Sequence, residues 1–364
     1  MMRLVILLLS FLLIFSCATS TTKKEKAHKN QNLTNTQSKI RSIPVDLTVS
    51  ETSQVIGEPV NVSFKTKLEA LPDSIRMSIN SIYWKTFFPE TTALQLIDAP
   101  FRLGKNNSNL TFYWSDTLQA SKTLTLVFNS DISPLNYTYK VEKSYPHDTR
   151  SFTQGLEFSE GFLYEGTGQY GESKLFKLDL DNGGVVQSIN LPDNVFGEGI
   201  TLMDNKIYQL SWQNQVGFVY NKNTFELLYE FSYPTEGWGL TNNGKELIMS
   251  DGSEIIYFLD TDYIQEIRRI QVYDNQGPVK NLNELEYIKG EIFANVYGSD
   301  FIVAIDPVTG KVTKRIDLSN LLNRKHLTQP VDVLNGIAYN PDSDQLIVTG
   351  KWWPRFFHIS LRKK

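Results

Sequence analysis

The sequence predicts an all-β protein in which a five-bladed β-propeller follows an immunoglobulin-like β-sandwich. Three observations lead to this prediction: a fivefold repeat in the second part of the chain, regularly spaced β-like runs before it, and an aromatic content of 12% that suits strands. A length of 364 residues is greater than that of most domains with a single hydrophobic core, and it favours about two domains with a leader segment. The net charge of −4, without a basic stripe, gives no footprint for nucleic-acid binding.

The amino terminus, residues 1–17, is predicted to be a lipoprotein signal peptide. Arg3 precedes twelve mostly apolar residues, too few for a spanning helix of roughly twenty but typical of a signal peptide's hydrophobic region. Segment 14–17 resembles a bacterial lipobox and ends in the chain's only cysteine, Cys17. We therefore expect lipidation at Cys17, with palmitate among the acyl chains, and anchoring in the bacterial cell envelope at the outer membrane, periplasmic or surface-exposed. Ordinary secretion with a stray cysteine is the alternative.

The next two segments are predicted to be a tether and a sandwich. Residues 18–43 are mainly Thr, Lys, Asn, Gln and Ser, which is too polar a mixture to build a core and indicates a flexible tether. Residues 44–135 contain short β-like runs without a helical period, which favours an immunoglobulin-like sandwich. We find no catalytic constellation in it and expect a spacer or docking module.

Residues 136–364 are predicted to form the propeller, because they carry the repeat. Each copy begins with a polar or aromatic residue, then Gly (once Glu), then an aliphatic residue, and the copies lie 44, 40, 45 and 52 residues apart. This period is typical of four-stranded propeller blades. The five copies are Gln154-Gly155-Leu156, Glu198-Gly199-Ile200, Trp238-Gly239-Leu240, Asn283-Glu284-Leu285 and Asn335-Gly336-Ile337.

Each copy continues through turn residues into a second apolar run and then a third, so its beginning is predicted to be a hairpin. Fourth runs follow the first four copies, whereas the fifth copy has none before Lys364. An incomplete blade would expose a sheet edge. We therefore predict that residues 137–141, which alternate in character, supply the missing outer strand and close the ring.

Equivalent positions of a propeller meet around its central tunnel, so the alignment of the copies predicts a site. The position before the Gly gives the first ring: Gln154, Glu198, Trp238, Asn283 and Asn335. Two residues earlier, Phe152 and Phe196 are expected to wall the tunnel mouth. The second ring comes from the end of the second run: Gly168, Trp212, Gly252, Tyr297 and Lys351.

These side chains also have ordinary structural interpretations. Tunnel carboxamides could hold water or cap strand ends, the aromatic rings could only pack, and Glu198 and Lys351 could form a structural ion pair. A lone carboxylate surrounded by aromatic rings would, however, be partly desolvated, which raises its pKa toward the range useful for proton transfer. The set therefore predicts a pocket in which Glu198 is the reactive group.

The segments that carry these positions resemble the plant and bacterial type of glutaminyl-peptide cyclotransferase. The resemblance covers about residues 137–361 and includes all five repeats in order, with Tyr145-Pro146-His147-Asp148 before the first. The segments are Phe152-Thr153-Gln154-Gly155-Leu156, Phe196-Gly197-Glu198-Gly199-Ile200, Glu236-Gly237-Trp238-Gly239-Leu240, Asn283-Glu284-Leu285-Glu286 and Thr349-Gly350-Lys351-Trp352. The resemblance implies a five-bladed propeller that converts amino-terminal Gln of peptides or proteins into pyroglutamate and releases ammonia.

The resemblance also implies roles for individual residues. Glu198 takes the place of the acid/base, the polar contacts are Gln154, Asn283 and Lys351, and the aromatic pocket is Phe152, Phe196, Trp212 and Trp238. Tyr297 departs from the plant enzymes, which usually carry Trp there, so substrate preference could differ. No catalytic metal or organic cofactor is implied, a structural cation such as calcium in the tunnel stays open, and we expect a monomer.

Two other functions compete with this one. A non-catalytic propeller could bind peptides or glycans at the cell surface without turnover. A metal-dependent propeller hydrolase needs several inward ligands, for which only Glu198, Asn283 and Asn335 qualify. None of the four His residues falls on either ring, and no Gly-x-Ser-x-Gly segment suggests a serine hydrolase.

Overall fold

The computed structural model describes residues 41–51 and 53–364, which belong to one compact unit. The predicted signal peptide, Cys17 and residues 18–40 of the predicted tether lie outside the described residues. Within the described ranges nearly all regular structure is β-strand, and the helical element is one 3-10 turn, Arg324–His326. No helix in this part of the chain is long and apolar enough to cross a membrane.

The amino-terminal strands form two packed sheets. Their order is β1 (Arg41–Ser42), β2 (Val45–Val49), β3 (Gln54–Val55), β4 (Val60–Thr66), β5 (Ser74–Ile79), β6 (Ile82–Phe87), β7 (Ala93–Leu96), β8 (Gly104–Ser115) and β9 (Leu118–Asn129). One sheet has the order β1-β9-β8-β5-β6, with β3 also on β9, and the other has β2-β4-β7. Side chains of both sheets, such as Val62 and Phe64 opposite Met77 and Phe112, form one buried core. The predicted sandwich is therefore confirmed.

One boundary of the prediction is wrong. Residues Arg41 and Ser42, assigned to the tether, form β1 and pair in parallel with Leu118 and Gln119. The next residue, Ile43, packs against the sandwich core. This pairing satisfies backbone groups at a sheet edge, so the polar composition of the segment does not keep it out of the fold.

The first three blades are separate four-stranded antiparallel sheets. Blade one contains β11 (Thr153–Ser159), β12 (Phe162–Thr167), β13 (Lys174–Asp179) and β14 (Gly184–Asn190). Blade two contains β15 (Gly197–Met203), β16 (Lys206–Ser211), β17 (Val216–Asn221) and β18 (Leu227–Ser232). Blade three contains β19 (Leu240–Asn242), β20 (Leu247–Ser250), β21 (Ile255–Leu259) and β22 (Glu266–Gln271). The buried core lies between blades, where Tyr164 and Leu175 of blade one contact Ile200 and Ile207 of blade two.

The last two blades are joined by the strand that closes the ring. Blade four contains β23 (Leu282–Ile288), β24 (Glu291–Val296), β25 (Phe301–Ile305) and β26 (Val312–Asp317), and blade five contains β27 (Leu334–Asn340), β28 (Gln345–Gly350) and β29 (Arg355–Lys363). Strand β10 (Leu135–Pro146) pairs antiparallel with β29, from Tyr137 opposite Lys363 to Pro146 opposite Arg355. The predicted outer strand of blade five is thus confirmed. The same strand also pairs in parallel with β26.

A buried polar network fastens blade five to blade one. His147, just after β10, contacts the Glu165 carboxylate with Nε2 at 3.0 Å and the Thr349 hydroxyl with Nδ1 at 3.2 Å. The Thr153 hydroxyl donates to the same carboxylate at 2.6 Å. Because Thr153 precedes Gln154, this network fixes the start of an inner strand that carries a predicted site residue.

One contact between the sandwich and blade three is made by a glutamine side chain. Gln271 accepts a hydrogen bond from the Lys105 backbone N–H at 2.8 Å and donates to the Lys105 carbonyl at 3.1 Å. Gly104, at a φ of +79°, leaves the room for this side chain, because an added Cβ would lie 2.5 Å from Gln271 Oε1. The side chain thus satisfies the N–H and C=O groups of Lys105 at the side of β8, as a neighbouring strand would.

The repeated glycine is explained by the approach of neighbouring inner strands. A Cβ at Gly155 would lie 2.4 Å from Ile200 N, one at Gly199 would lie 2.5 Å from Leu240 N, and one at Gly239 would lie 2.0 Å from Asn283 O. These are backbone atoms of the next inner strand around the axis, which cannot move aside cheaply. The spacing of the blades around the tunnel therefore requires a residue without a side chain.

The fourth copy has Glu284 in place of the glycine and uses it to bridge the tunnel. The buried carboxylate accepts hydrogen bonds from Leu156 N at 3.1 Å and Ile337 N at 2.9 Å. These donors belong to blades one and five. Glu284 therefore joins three inner strands and fills space that the other copies leave to close backbone contact.

Replacing Gly239 with Ala should destabilise the protein by about 1–3 kcal/mol or more, because the new methyl group would press on the backbone of β23. The free energy of unfolding from chemical denaturation measures this. Gly161→Asn is the control, since Gly161 has a φ of +83° and open space, and Asn tolerates that conformation. Equal losses from both substitutions would contradict the account of the repeat.

Candidate active site

A cavity of about 330 Å³ lies at one end of the tunnel, and all nine predicted site residues of the propeller line it together with Gln169. We call this cavity the cup. Its lining residues are Phe152, Gln154, Gln169, Phe196, Glu198, Trp212, Trp238, Asn283, Tyr297 and Lys351. They come from the beginnings of inner strands and the ends of second strands, as the two predicted rings require. Every blade contributes, so the cup is complete within one chain.

The cup is not the largest hollow of the molecule. A cleft of about 880 Å³ lies between the sandwich and blades three and four. Two of its cations are already engaged, Arg268 by Glu246 at 2.9 Å and Lys311 by Asp131 at 2.7 Å. The cup, by contrast, gathers buried polar groups whose hydrogen-bonding capacity is not used up, and this is where chemistry is expected.

Glu198 is the acidic member of the cup lining and is only 4% exposed. Gln154 Nε2 donates to its Oε1 at 2.9 Å. Burial raises the pKa of Glu198, the Lys351 charge lowers it and the Glu236 charge raises it, with the result that the pKa lies well above the usual value. A carboxyl group with a raised pKa can both accept and return a proton near neutral pH.

Lys351 supplies the cation of the cup and is 3% exposed. Its Nζ lies 4.6 Å from the ring centroid of Phe152 and 5.2 Å from that of Tyr297. Burial lowers the pKa of Lys351, and the charges of Glu198 and Asp332 offset only part of that effect. Among the described residues Lys351 takes part in no salt bridge, so it is not the partner of Glu198 in a simple structural ion pair. Its ammonium group rests on aromatic faces and remains available to a bound molecule.

The aromatic walls are built from edge-to-face contacts. Ring centroids lie 6.0 Å apart for Phe152 and Phe196, 5.6 Å for Phe196 and Trp212, and 5.7 Å for Trp238 and Tyr297. Such contacts fix the planes of the rings relative to one another. The walls therefore form a rigid, apolar slot above Glu198.

The two glycines of the second ring make room for these walls. A Cβ at Gly168 would lie 2.2 Å from the Phe196 ring, and one at Gly252 would lie 2.7 Å from the Trp238 ring. The missing side chains at Gly168 and Gly252 thus leave the space that the Phe196 and Trp238 rings occupy. The aligned glycines are part of the shape of the cup.

Of the three predicted carboxamides, two line the cup and one lies beneath it. Asn335 Nδ2 donates to the Thr153 carbonyl at 3.0 Å and to Gln154 Oε1 at 3.3 Å, so it supports Gln154 and does not line the cavity. Asn283 lines the cup, and its buried Oδ1 has no hydrogen-bond partner among the described residues. A buried carboxamide with unused capacity is suited to bind a polar ligand group.

The two predicted rings miss two residues of this region, Glu236 beside the cup and Gln169 in its lining. Glu236 Oε2 accepts hydrogen bonds from both Trp212 Nε1 at 2.9 Å and Trp238 Nε1 at 3.0 Å. A signal existed, because Glu236 stands two residues before Trp238, where the first two copies carry Phe152 and Phe196. Gln169 lines the cup with a φ of +101°, an unusual conformation that nothing in the sequence indicates.

A second set of carboxylates lies along the tunnel beyond the cup. Burial raises the pKa of Glu284 and Glu286 well above the usual value and that of Glu157 to about 7. Glu157 accepts hydrogen bonds from the Thr201 hydroxyl at 2.7 Å and Leu202 N at 2.9 Å. These carboxylates tie neighbouring inner strands together. Across the described ranges no group of three or more His, Cys, Asp or Glu is placed to hold a metal ion, and a tunnel cation stays a prediction.

Comparison with known families agrees with the geometry. The sequence model of the family described as glutamine cyclotransferase matches residues 115–361. The chain belongs to this family. The matched part contains every residue of the cup and all propeller strands except the last two residues of β29. It also includes the last sandwich strand, so it begins earlier than the resemblance seen in the sequence alone. Most of the sandwich lies outside it.

Two individual proteins of this kind are similar to the chain. The glutaminyl-peptide cyclotransferase of Arabidopsis thaliana is 38% identical over 239 residues, which are 64% of this chain and 74% of that protein. The crystal structure of Myxococcus xanthus glutaminyl cyclase aligns with a TM-score of 0.60 and 34% identity, over 64% of this chain and 100% of that one. The predicted family and the propeller fold are confirmed.

The tunnel carboxylates predict how stability changes with pH. Because the pKa of Glu157 is raised from 4.5 to about 7, the folded protein holds this proton more tightly than the unfolded chain does. The resulting stabilisation is complete below about pH 4.5 and is lost as pH rises through about 7; Glu284 and Glu286 act in the same direction.

Chemical denaturation at pH 5 and pH 8 measures this effect. Glu157→Gln should reduce the loss of stability between the two pH values, because Gln does not titrate. Exposed Glu58→Gln on the sandwich is the matched control and should leave the loss unchanged. An identical pH dependence in wild type and Glu157→Gln would contradict the assignment.

Proposed function

We propose that this protein is a glutaminyl-peptide cyclotransferase, an aminoacyltransferase that converts amino-terminal Gln of peptides or proteins into pyroglutamate and releases ammonia. One observation carries the proposal: a buried carboxyl group with a raised pKa, Glu198, lies at the base of an aromatic cup of about 330 Å³. A cup of this size has room for one curled amino-terminal residue, while the rest of the peptide extends into solvent. Membership of the glutamine cyclotransferase family supports the same reaction.

The reaction needs little activation of the nucleophile, because the substrate contains it. A free α-amino group has a pKa of about 8, so a useful fraction is neutral at pH 7. Its lone pair attacks the side-chain carboxamide carbon, and the new C–N bond closes a five-membered ring. The Glu198 carboxylate takes one proton from the attacking nitrogen and then, as a carboxylic acid, gives it to the departing nitrogen. The old C–N bond breaks, and ammonia leaves.

Lys351 and Asn283 are placed to stabilise the oxyanion of the tetrahedral intermediate. The ammonium of Lys351 is buried and takes part in no salt bridge among the described residues, and Asn283 presents a carboxamide to the same cavity. Gln154, another polar residue of the cup lining, already donates its Nε2 to Glu198. Its role is therefore to orient the carboxyl group, and the oxyanion role belongs to Lys351 with Asn283.

The aromatic walls contribute geometry and exclude water. Edge-to-face packing among Phe152, Phe196 and Trp212 holds one side of the slot, and Trp238 with Tyr297 holds the other. A Gln side chain confined there folds back over its own amine, which brings the reacting atoms together. The same walls keep out water that would hydrolyse the amide.

The two competing functions make different predictions in one assay. Purified full-length protein is incubated with a Gln-initiated dipeptide, with and without a chelator, and ammonia is followed. Chelator-insensitive release is the expected result. Absence of release from any Gln-initiated peptide favours a binding propeller, and loss of release with chelator favours a metal-dependent enzyme.

Glu198→Gln should fold normally and lose about 10²–10⁴-fold in kcat, since Gln keeps the shape but cannot carry the proton. Steady-state kinetics of ammonia release measures this, and circular dichroism with a thermal melt checks the fold. Exposed Glu58→Gln serves as a control that should retain wild-type kinetics. Full activity in Glu198→Gln would remove this residue from the mechanism.

Lys351→Met should impair kcat more than KM, by about 10²–10³-fold, because the lost charge acts mainly on the intermediate. Removing this charge also raises the pKa of Glu198, since Lys351 normally lowers it. The acidic limb of the kcat/KM profile should therefore move to higher pH. The substrate amine titrates identically in both proteins, so a limb that stays in place would show that Lys351 does not act on Glu198.

We further propose that Cys17 is lipidated and anchors the protein to the bacterial cell envelope, at the outer membrane, as a monomer. The hydrophobic segment before Cys17 supports the anchor, and a cup complete within one chain supports the monomer. Incorporation of labelled palmitate into the wild type and its loss in Cys17→Ser is the expected result. Labelling that persists in Cys17→Ser would contradict the anchor.

A further inference from the structure

Glu236 lies between β18 and β19 and joins the two tryptophans of the cup through one carboxylate oxygen. Trp212 Nε1 donates to Oε2 at 2.9 Å and Trp238 Nε1 donates to the same atom at 3.0 Å. Gln213 Nε2 donates to the other oxygen at 3.2 Å. Trp212 follows the second strand of blade two, whereas Trp238 precedes the inner strand of blade three. The carboxylate therefore connects walls that come from different blades.

This carboxylate is charged, and among the described residues it takes part in no salt bridge. Burial raises the pKa of Glu236, but the hydrogen bonds from Trp238, Trp212 and Gln213 outweigh burial and hold the pKa below its usual value. An indole N–H can only donate, and bonds to an ionised acceptor are about twice as strong as neutral ones. The two rings are thus held by charge-assisted bonds as well as by packing.

Glu236 does not itself line the cup, so its effect on a bound molecule passes through the two indoles. The Trp212 ring packs on Phe196 at 5.6 Å and the Trp238 ring packs on Tyr297 at 5.7 Å between centroids. If the shared acceptor were lost, each indole could turn about its own side-chain torsions, and both walls of the slot would shift. Together with the ring packing, this one side chain therefore sets how the two indoles stand in the slot.

We propose that Glu236 is a positioning residue of the cyclisation reaction, which clamps Trp212 and Trp238 at the separation that holds an amino-terminal Gln curled over its own amine. This inference rests on the proposed function and adds to it a residue outside the cavity. A displacement of about 1 Å in a positioning group can cost about 10²-fold in rate, which sets the size of the expected effect.

Two substitutions separate the geometry of Glu236 from its charge. Glu236→Asp keeps the charge but shortens the side chain by one methylene, so one oxygen cannot reach both indoles. Glu236→Gln keeps the length and an oxygen that accepts from both indoles but removes the charge. The new NH2 group of Glu236→Gln would face the Nε2 of Gln213. Gln213 is exposed and can rotate its carboxamide so that its oxygen accepts from this group.

The experiment compares kcat and KM for a Gln-initiated dipeptide in full-length wild type, Glu236→Asp and Glu236→Gln, with exposed Glu226→Asp on blade two as the control. We expect kcat/KM to fall about 10²-fold in Glu236→Asp. Glu236→Gln should keep a kcat/KM much closer to that of the wild type. In Glu236→Gln the acidic limb of the profile should move to lower pH. The charged or titratable groups around Glu198 are Lys351, Glu236, Tyr233 and Tyr297, and the Glu236 charge normally raises the pKa of Glu198.

A second readout does not depend on turnover. The indole N–H resonances of Trp212 and Trp238, assigned with Trp→Phe variants, should both move and exchange faster with solvent in Glu236→Asp, and should stay close to wild type in Glu236→Gln. Wild-type kinetics and unmoved resonances in Glu236→Asp would overturn the proposal, and so would an equal loss in both variants. If the wild type releases no ammonia while the resonances respond as described, the positioning of the two indoles by Glu236 is supported and the proposed reaction is contradicted.

Discussion

The close approach of inner strands around the central axis is the constraint on which the rest of the structure depends. Backbone atoms of neighbouring blades come so near that a Cβ at Gly155, Gly199 or Gly239 would lie 2.0–2.5 Å from them. This spacing places equivalent residues of distant repeats within reach of one another. A cup to which all five blades contribute, with Glu198 in its base, is a direct consequence. Blade four uses Glu284 to reach across the same space and join blades one and five.

Burial of polar groups in this narrow tunnel determines their chemistry. Glu198 loses its hydration and keeps one carboxamide partner, so its pKa rises, while the nearby Lys351 has its pKa lowered for the same reason. Because neither group takes part in a salt bridge within the described part of the chain, both remain able to respond to a substrate. Glu236, which holds the two indoles, adds a negative charge that raises the pKa of Glu198 further. The charges of Lys351 and Glu236 thus act on Glu198 in opposite directions, and Lys351 does so without a salt bridge to it.

Much of this arrangement can be predicted from the sequence, because a repeat converts spacing along the chain into neighbourhood in space. The ring closure by β10 and nine of the ten cup residues follow from aligning the copies. Glu236 is harder to predict, since its importance depends on where two indole N–H groups point. Gln169 depends on a local backbone conformation, and the support of Gln154 by Asn335 depends on a side-chain direction. The tether boundary fails at Arg41 because a polar residue can join a sheet edge through its backbone alone.

The central claim is that burial of Glu198 in the cup raises the pKa of its carboxyl group well above the ordinary range. A carbon-13 NMR titration of glutamate carboxyl groups in the full-length protein, with the Glu198 signal identified by its absence in Glu198→Gln, measures this directly. The account predicts a midpoint well above the ordinary Glu value of about 4.3 and a downward shift of that midpoint in Glu236→Gln. A midpoint at the ordinary value would contradict it, because the cup would then be open to water.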